Sequence, residues 1–173
     1  MSSTINEAFD NDVHLFFTND NVQNHNRKKL YSLKQLVACS IAKKLGNVNA
    51  TEGSSHDELD MELLISKNAR VMLTSNLWIE AGLVNGALGY IQKIVYKTRC
   101  MPPEPPLYVM VKFDNYSGFP IDDHNPQAVP ISIRQRGSTI QIPLRLAWAL
   151  TIHKLQGLTL AKAIVDIGPT ERT

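Results

Sequence analysis

The sequence predicts an α/β fold into which a small antiparallel β-barrel is inserted. Three observations point there. First, Val13 to Thr18 has the β-branched and aromatic content of a short buried strand; it runs into the capping residues Thr18-Asn19-Asp20, and Val22, Asn26, Leu30 and Leu33 then recur at nearly helical spacing. Second, the apolar run from Pro143 to Leu150 passes abruptly into Thr151, His153, Lys154 and Gln156 and restarts at Gly157 with Leu-Thr-Leu. That is the pattern of a buried strand delivering a polar cluster to the edge of a sheet. Third, after Gly89 the texture changes to short β-rich runs, Tyr90 to Tyr96, Leu107 to Phe113 and Val129 to Arg134, separated by Pro-rich or Asn/Asp/Gly-rich turns.

With 173 residues and 43% hydrophobic content, the chain has room for one ordinary domain, or for a truncated one with a small insert. The net charge of +2 does not announce a nucleic-acid binder, but its distribution is uneven. Arg27 to Lys44 carries only basic charges, Glu52 to Glu62 only acidic ones, and His124 to Val165 has no Asp or Glu while holding Arg134, Arg136, Arg145, Lys154 and Lys162. The end with the polar cluster is therefore locally positive, which suits a polyanion and equally suits a solvated face. Cys39 and Cys100 are too few for a disulfide framework and lack metal-site spacing, so a reducing compartment is expected. No apolar run reaches the length of a membrane span, and the polar N-terminus is not a signal peptide.

Taken in order, residues 1–12 are expected to fray. The strand at Val13 and the helix behind it follow, with Arg27, Lys28 and Lys29 on the outer surface. Gln35 to Lys44 fits a strand through Val37, Cys39 and Ile41 and a helix through Leu36, Val37 and Ile41. Gly46 to Asp60 reads as a surface loop; its Asp57-Glu58 pair lacks the preceding apolar strand of a Mg²⁺ site. Ile65 to Asn68 is a tight turn before a strand at Arg70 to Thr74, and Trp78 is expected to be a packing anchor, not a platform for bases. Met101 to Pro106 is a loop between strands, Ser138 to Pro143 leads back to the main sheet, and Ala163 to Ile167 is a further buried strand. The end at Thr173 is abrupt.

Thr151, His153, Lys154 and Gln156 offer a hydroxyl, an imidazole, an ammonium and an amide with Gly157 directly behind. This is equipment for holding phosphate, not for making bonds, although a solvated strand-end loop has the same composition. His153 has no carboxylate or second ligand at the spacing that a general base or a metal site requires.

Leu146-Ala-Trp-Ala-Leu-Thr-Ile-His-Lys-Leu-Gln-Gly-Leu-Thr-Leu160 resembles the late motif, typically written T-I-H-K-S-Q-G, of superfamily-one DNA helicases of the Pif (petite integration frequency) type, including those of Helitron transposons. Two further blocks are similar and stand in the family's order: His14-Leu-Phe-Phe-Thr-Asn19 running to Asn26, and Ala69 to Trp78 with Gly82-Leu-Val-Asn-Gly86. The resemblance implies a partial RecA-like second motor domain made of 13–88 and 143–173. It implies a barrel at 89–142 like that of Src-homology-three domains, which helps to hold single-stranded DNA. It favours the strand reading of Gln35 to Lys44. It places Thr18, Asn19, Thr151, His153 and Lys154 against the DNA backbone, and Gln156 with Gly157 at the nucleotide. Asn68 stands where the family usually has Gly, and Leu155 replaces its usual Ser, removing a hydroxyl from that row. For Thr18 and Asn19 the alternative is a helix-capping role alone.

No Gly here is followed by Lys, so the G-x-x-x-x-G-K-[ST] phosphate loop is absent, and the family's arginine element would begin just beyond Thr173. The expectation is a C-terminal helicase fragment that does not hydrolyse ATP alone. ATP and Mg²⁺ serve the complete helicase only. The expected partners are single-stranded DNA and the missing first motor domain, with no membrane, and the expected compartment is the nucleus or alternatively the mitochondrion. The competing readings are a noncatalytic single-stranded-DNA-binding or regulatory module and a transposon-derived remnant.

Overall fold

The computed structural model describes residues 13–44, 61–121, 125–155 and 162–166. In chain order the elements are β1 (Val13–Phe16), α1 (Asn19–Ser32), β2 (Val37–Ile41), β3 (Lys43–Lys44), β4 (Glu62–Ser66), β5 (Arg70–Leu73), a 3-10 turn (Ile79–Ala81), β6 (Leu88–Val95) and β7 (Tyr108–Phe113). They continue with β8 (Ala128–Ser132), β9 (Arg134–Arg136), β10 (Thr139–Gln141), β11 (Leu144–Leu146), β12 (Ala149–Thr151), a second 3-10 turn (Ile152–Leu155) and β13 (Ala163–Val165). These residues form two compact units, one from the segments up to Lys34 and from Leu146 onward, the other from Gln35–Arg145.

In the first unit, β1 is the middle strand of a parallel sheet of order β12-β1-β13. Val13 and Leu15 alternate into the core, as a half-buried strand requires. Thr18 ends the strand and caps α1, its hydroxyl accepting from the Asn21 amide at 3.3 Å. The helix then buries Asn26 and Leu30. Asn26 is a polar residue on the apolar stripe, and its amide bonds Ala149, with Nδ2 also reaching the Leu146 carbonyl at 3.5 Å. Oδ1 accepts from the Ala149 N–H at 2.8 Å and Nδ2 donates to the Ala149 carbonyl at 3.1 Å. A side chain thus bonds both backbone groups of a strand residue, in the manner of a neighbouring strand.

The second unit is built on a five-stranded sheet of order β11-β5-β6-β7-β8. Val109, Val111 and Phe113 alternate into its core, facing Ile91 and Ile131. A β-bulge between Ile91 and Lys93 shifts the β6–β7 register. Gly89 is required by that pairing, since a Cβ there would lie 2.5 Å from the Lys112 carbonyl oxygen. Arg70 on β5 makes a two-pronged ion pair with Asp114 at 2.9 and 2.6 Å and lies over the Tyr90 ring at 4.5 Å. A β2–β4 hairpin and a small sheet of order β3-β10-β9 complete the unit. Ser40 and Gln141 bond each other at 2.9 Å in the buried interior.

Several expectations are corrected. The three middle runs are strands, but no sheet among the described residues closes into a barrel; they build an open sheet together with β5 and β11. The single strand expected from Pro143 onward is two, with β11 beside β5 and β12 beside β1. Val37–Ile41 is a strand, and Glu62–Ser66 is one that the sequence reading did not assign. Trp78 is 42% exposed instead of buried, while Leu83, bridged to it, fills the interior. β13 is an edge strand with Val165 51% exposed, not a buried one. Residues 1–12, expected to fray, and the Asp57-Glu58 pair lie outside the described residues.

His25 of α1 packs against β1, its ring 4.2 Å from that of His14 and 5.5 Å from that of Phe16. Its buried Nε2 has no hydrogen-bond partner. Loss of hydration, helped by His14, Lys29 and Lys28, lowers its pKa from 6.5 to about 4.

Two predictions follow from the first unit. Replacing Asn26 by Ala strands two backbone groups of Ala149, so a loss of about 2 to 6 kcal/mol is expected in urea denaturation, at roughly 1 to 3 kcal/mol per unpaired group. The His25 pKa is depressed on folding, so the unfolded chain takes up the proton first. The stability of neutral His25 is therefore complete above about 6.5 and is lost as pH falls toward about 4. In urea titrations at neutral pH and at weakly acid pH, the unaltered chain should lose more stability than His25→Gln.

Candidate nucleic-acid interface

A parallel sheet brings the carboxyl ends of its strands to one edge, where α/β folds keep their ligands. β1 and β12 end level, because Phe16 pairs with Thr151. The chain leaves β1 as Phe17, Thr18 and Asn19 and leaves β12 as Ile152, His153 and Lys154. Two polar segments far apart in sequence therefore emerge side by side at the same edge.

Thr18, Asn19, His153 and Lys154 are exposed there, the last two on the 3-10 turn Ile152–Leu155. Capping uses acceptor capacity of the Thr18 hydroxyl and leaves its O–H as a donor, so helix capping and anion contact are compatible roles. The N-terminus of α1 opens at this edge and adds the positive end of its dipole, which Asp20 in the first turn partly offsets. Phe17, 46% exposed, gives the edge an aromatic face that the sequence reading did not single out. Thr151 differs from the others, being buried with 6% exposure inside β12, so its place is in the strand and not among the outward donors. Gln156 and Gly157 lie outside the described residues. Asp166 follows β13 and adds a carboxylate, its N–H donating to the Leu15 carbonyl at 3.0 Å.

The pairing of β1 with β12 holds these ends level, and Asn26 binds β12 where it begins, at Ala149. Asn26 is thus a structural positioning residue that sequence reasoning took only as a helix position; the available signal was an amide between Val22 and Leu30 on an otherwise apolar stripe. Among the described residues no three His, Cys, Asp or Glu side chains gather as a metal site would require. The edge offers hydrogen-bond donors and the Lys154 ammonium, the groups that hold phosphate oxygens, and sets the carboxylates of Asp20 and Asp166 against them.

The central block, Ala69 to Trp78 with Gly82 to Gly86, belongs to the second unit. Its polar turn is closed by Asn76, whose side chain accepts from the Asn85 N–H at 2.7 Å, and by left-handed Gly82 with φ 80°. Asn68, in the place of the family's glycine, has φ 65° and supplies the same left-handed turn.

No family model matches the sequence. ATP-dependent DNA helicase PIF7 of Trypanosoma brucei brucei is 33% identical over 144 residues, covering 68% of this chain and 14% of its own length. ATP-dependent DNA helicase Pif1 of Campylobacter jejuni is 27% identical over 166 residues, covering 86% of this chain and 35% of its own length. The chain thus spans about a third or less of these curated relatives. The crystal structure of Pif1 helicase from Candida albicans superposes with a TM-score of 0.69 and 26% identity, covering 90% of this chain and 39% of that one. This likeness in fold agrees with a RecA-like domain. The motif blocks, the parallel-sheet edge and these relatives together show that the chain belongs to the Pif1-type superfamily-one helicases.

Proposed function

We propose that this chain is part of an ATP-dependent DNA helicase, and that its parallel-sheet edge contacts the backbone of single-stranded DNA. The observation that carries this reading is the level ending of β1 and β12, which puts Thr18 and Asn19 beside His153 and Lys154. On this reading β1, α1, β12 and β13 belong to the second motor domain, and the antiparallel strands of 89–142 belong to the domain inserted into it. Thr18, Asn19, His153 and Lys154 hold phosphate oxygens. Buried Thr151 orients the turn that carries His153 and Lys154. Gln156 and Gly157 serve the nucleotide.

These 173 residues contain no Gly followed by Lys, so the loop that cradles the β- and γ-phosphates is not among them. Unwinding and ATP hydrolysis, with Mg²⁺, are accordingly proposed for the complete protein, joined to a first motor domain. The same fact favours a second reading, a noncatalytic single-stranded-DNA-binding or regulatory module. An ATPase assay with a separately supplied first motor domain and arginine element separates the two: restored hydrolysis supports the helicase, and none supports the module. A nuclear setting, or a mitochondrial one, suits either.

The direct test is fluorescence anisotropy with labelled single-stranded DNA at two salt concentrations. Lys154→Ala should weaken binding and flatten the salt dependence by about 0.7 in log–log slope, the share of one phosphate contact on a single strand. Its circular dichroism and urea midpoint should stay unchanged, because an exposed ammonium adds little to the core. Unchanged binding would remove Lys154 from the interface.

A further inference from the structure

The acid-free stretch between His124 and Val165 is only partly accounted for by the strand-end edge, since Arg134 and Arg136 belong to the second unit. There they meet the basic end of another segment. β10 pairs on one side with β3 and on the other with β9, so that Thr139 lies opposite both Lys44 and Arg136, and Gln141 opposite Arg134. Directly opposed residues of an antiparallel ladder share a face, as do residues two apart on one strand. Lys44, Arg136 and Arg134 therefore stand on one face of a three-stranded ribbon. All three are exposed, whereas at the base of that face Gln141 turns inward to Ser40.

The other face carries Lys43, which is engaged by Glu104 at 3.5 Å, and Gln135, whose amide donates to the Gly137 carbonyl at 3.0 Å. The cations of the first face are spread in two dimensions. Arg134 and Arg136 are about 6.8 Å apart along β9, and Lys44 lies across two inter-strand steps of about 4.8 Å each.

We propose that this ribbon is a contact surface for the phosphate backbone of duplex DNA. The argument is one of charge and shape. Binding of single strands combines cations with aromatic side chains on which bases stack, and the described residues of the ribbon include no aromatic. A patch that reads charge alone, over an area and not along a line, matches the duplex, which carries a negative charge about every 1.7 Å of its axis. The site goes beyond the single-strand edge, on a different unit, and does not require Lys154. The bland alternative is that charges on β9 merely guard an exposed edge strand against pairing with another chain.

The test uses the full chain with Lys44, Arg134 and Arg136 all replaced by Glu, and a second variant in which all three become Gln. Each is titrated by anisotropy against a labelled blunt duplex and a labelled single strand at two salt concentrations, with circular dichroism and size-exclusion chromatography alongside. Duplex affinity should fall about tenfold or more at low salt and the log–log salt slope should flatten by about 2 to 3, while single-strand affinity changes less than about twofold. If the Glu variant misfolds, the Gln variant carries the same expectation with a smaller loss.

Unchanged duplex binding, no duplex binding by the unaltered chain at low salt, or an equal loss on both probes would each overturn the proposal. Unchanged binding with new self-association would assign the ribbon to edge protection. Lys154→Ala, run in parallel, keeps the two sites distinct. If it leaves single-strand binding intact while the ribbon variants lose the duplex, the edge reading fails and the ribbon stands.

Discussion

Asn26 holds the first unit together at the point where sequence-distant segments must meet. Its amide donates to the Ala149 carbonyl and accepts from the Ala149 N–H, inside a region where neither group has access to water. A buried backbone group without a partner costs about as much as a lost hydrogen bond, and here two would be lost together. The pairing also leaves little freedom of register. A slip of one residue would turn the side chains of β12 to the other face and separate the amide from the groups that it satisfies. With Ala149 fixed, Leu150 and Thr151 fall opposite Leu15 and Phe16, and both strands end level.

That level ending explains the character of the candidate interface. Donors at one strand end gain from a second strand end that presents donors beside them, and the parallel sheet arranges this. It also explains why Thr151 and its neighbours differ. Thr151 is the last paired residue and is held inside the strand, whereas His153 and Lys154 come after the ladder has ended and face outward. Burial divides the run into a positioning part and a presenting part.

Much of this was legible in the sequence where the signal is local. The strand, cap and helix from Val13 to Ser32 follow from composition, capping chemistry and spacing, and the left-handed turn at Asn68 follows from a residue type that tolerates it. The division of 144–151 into β11 and β12 was not legible, because Leu146-Ala-Trp-Ala149 carries no turn residue and apolar continuity cannot show which sheet each half joins. Barrel closure failed for the same reason: strands can be read from alternation, but the pairing of a first strand with a last is a long-range fact. Trp78 was misread because size and apolarity suggest burial, while its backbone pairing with Leu83 gives the inward place to the leucine. At the edge, Thr18, Asn19, His153 and Lys154 were expected through motif resemblance and do lie exposed at one sheet edge, whereas Asn26 was seen only as a helix position.

A strand edge that only binds DNA does no work. For a motor, its affinity for the backbone must differ between nucleotide states, since a ligand shifts an equilibrium only by its differential affinity for the states concerned. The order of residues after β12 suits that requirement on the helicase reading. His153 and Lys154 stand on a single 3-10 turn, and the residues assigned to the nucleotide, Gln156 and Gly157, follow directly in the chain. Thr151 is held by the sheet on one side of that turn, so a displacement imposed from the nucleotide side has little to move except the turn itself. If Lys154 contacts the DNA backbone as proposed, its position would then report the nucleotide state over a separation of two residues in sequence from Gln156. Asn26, by holding β12 in register, would keep the other end of that turn still.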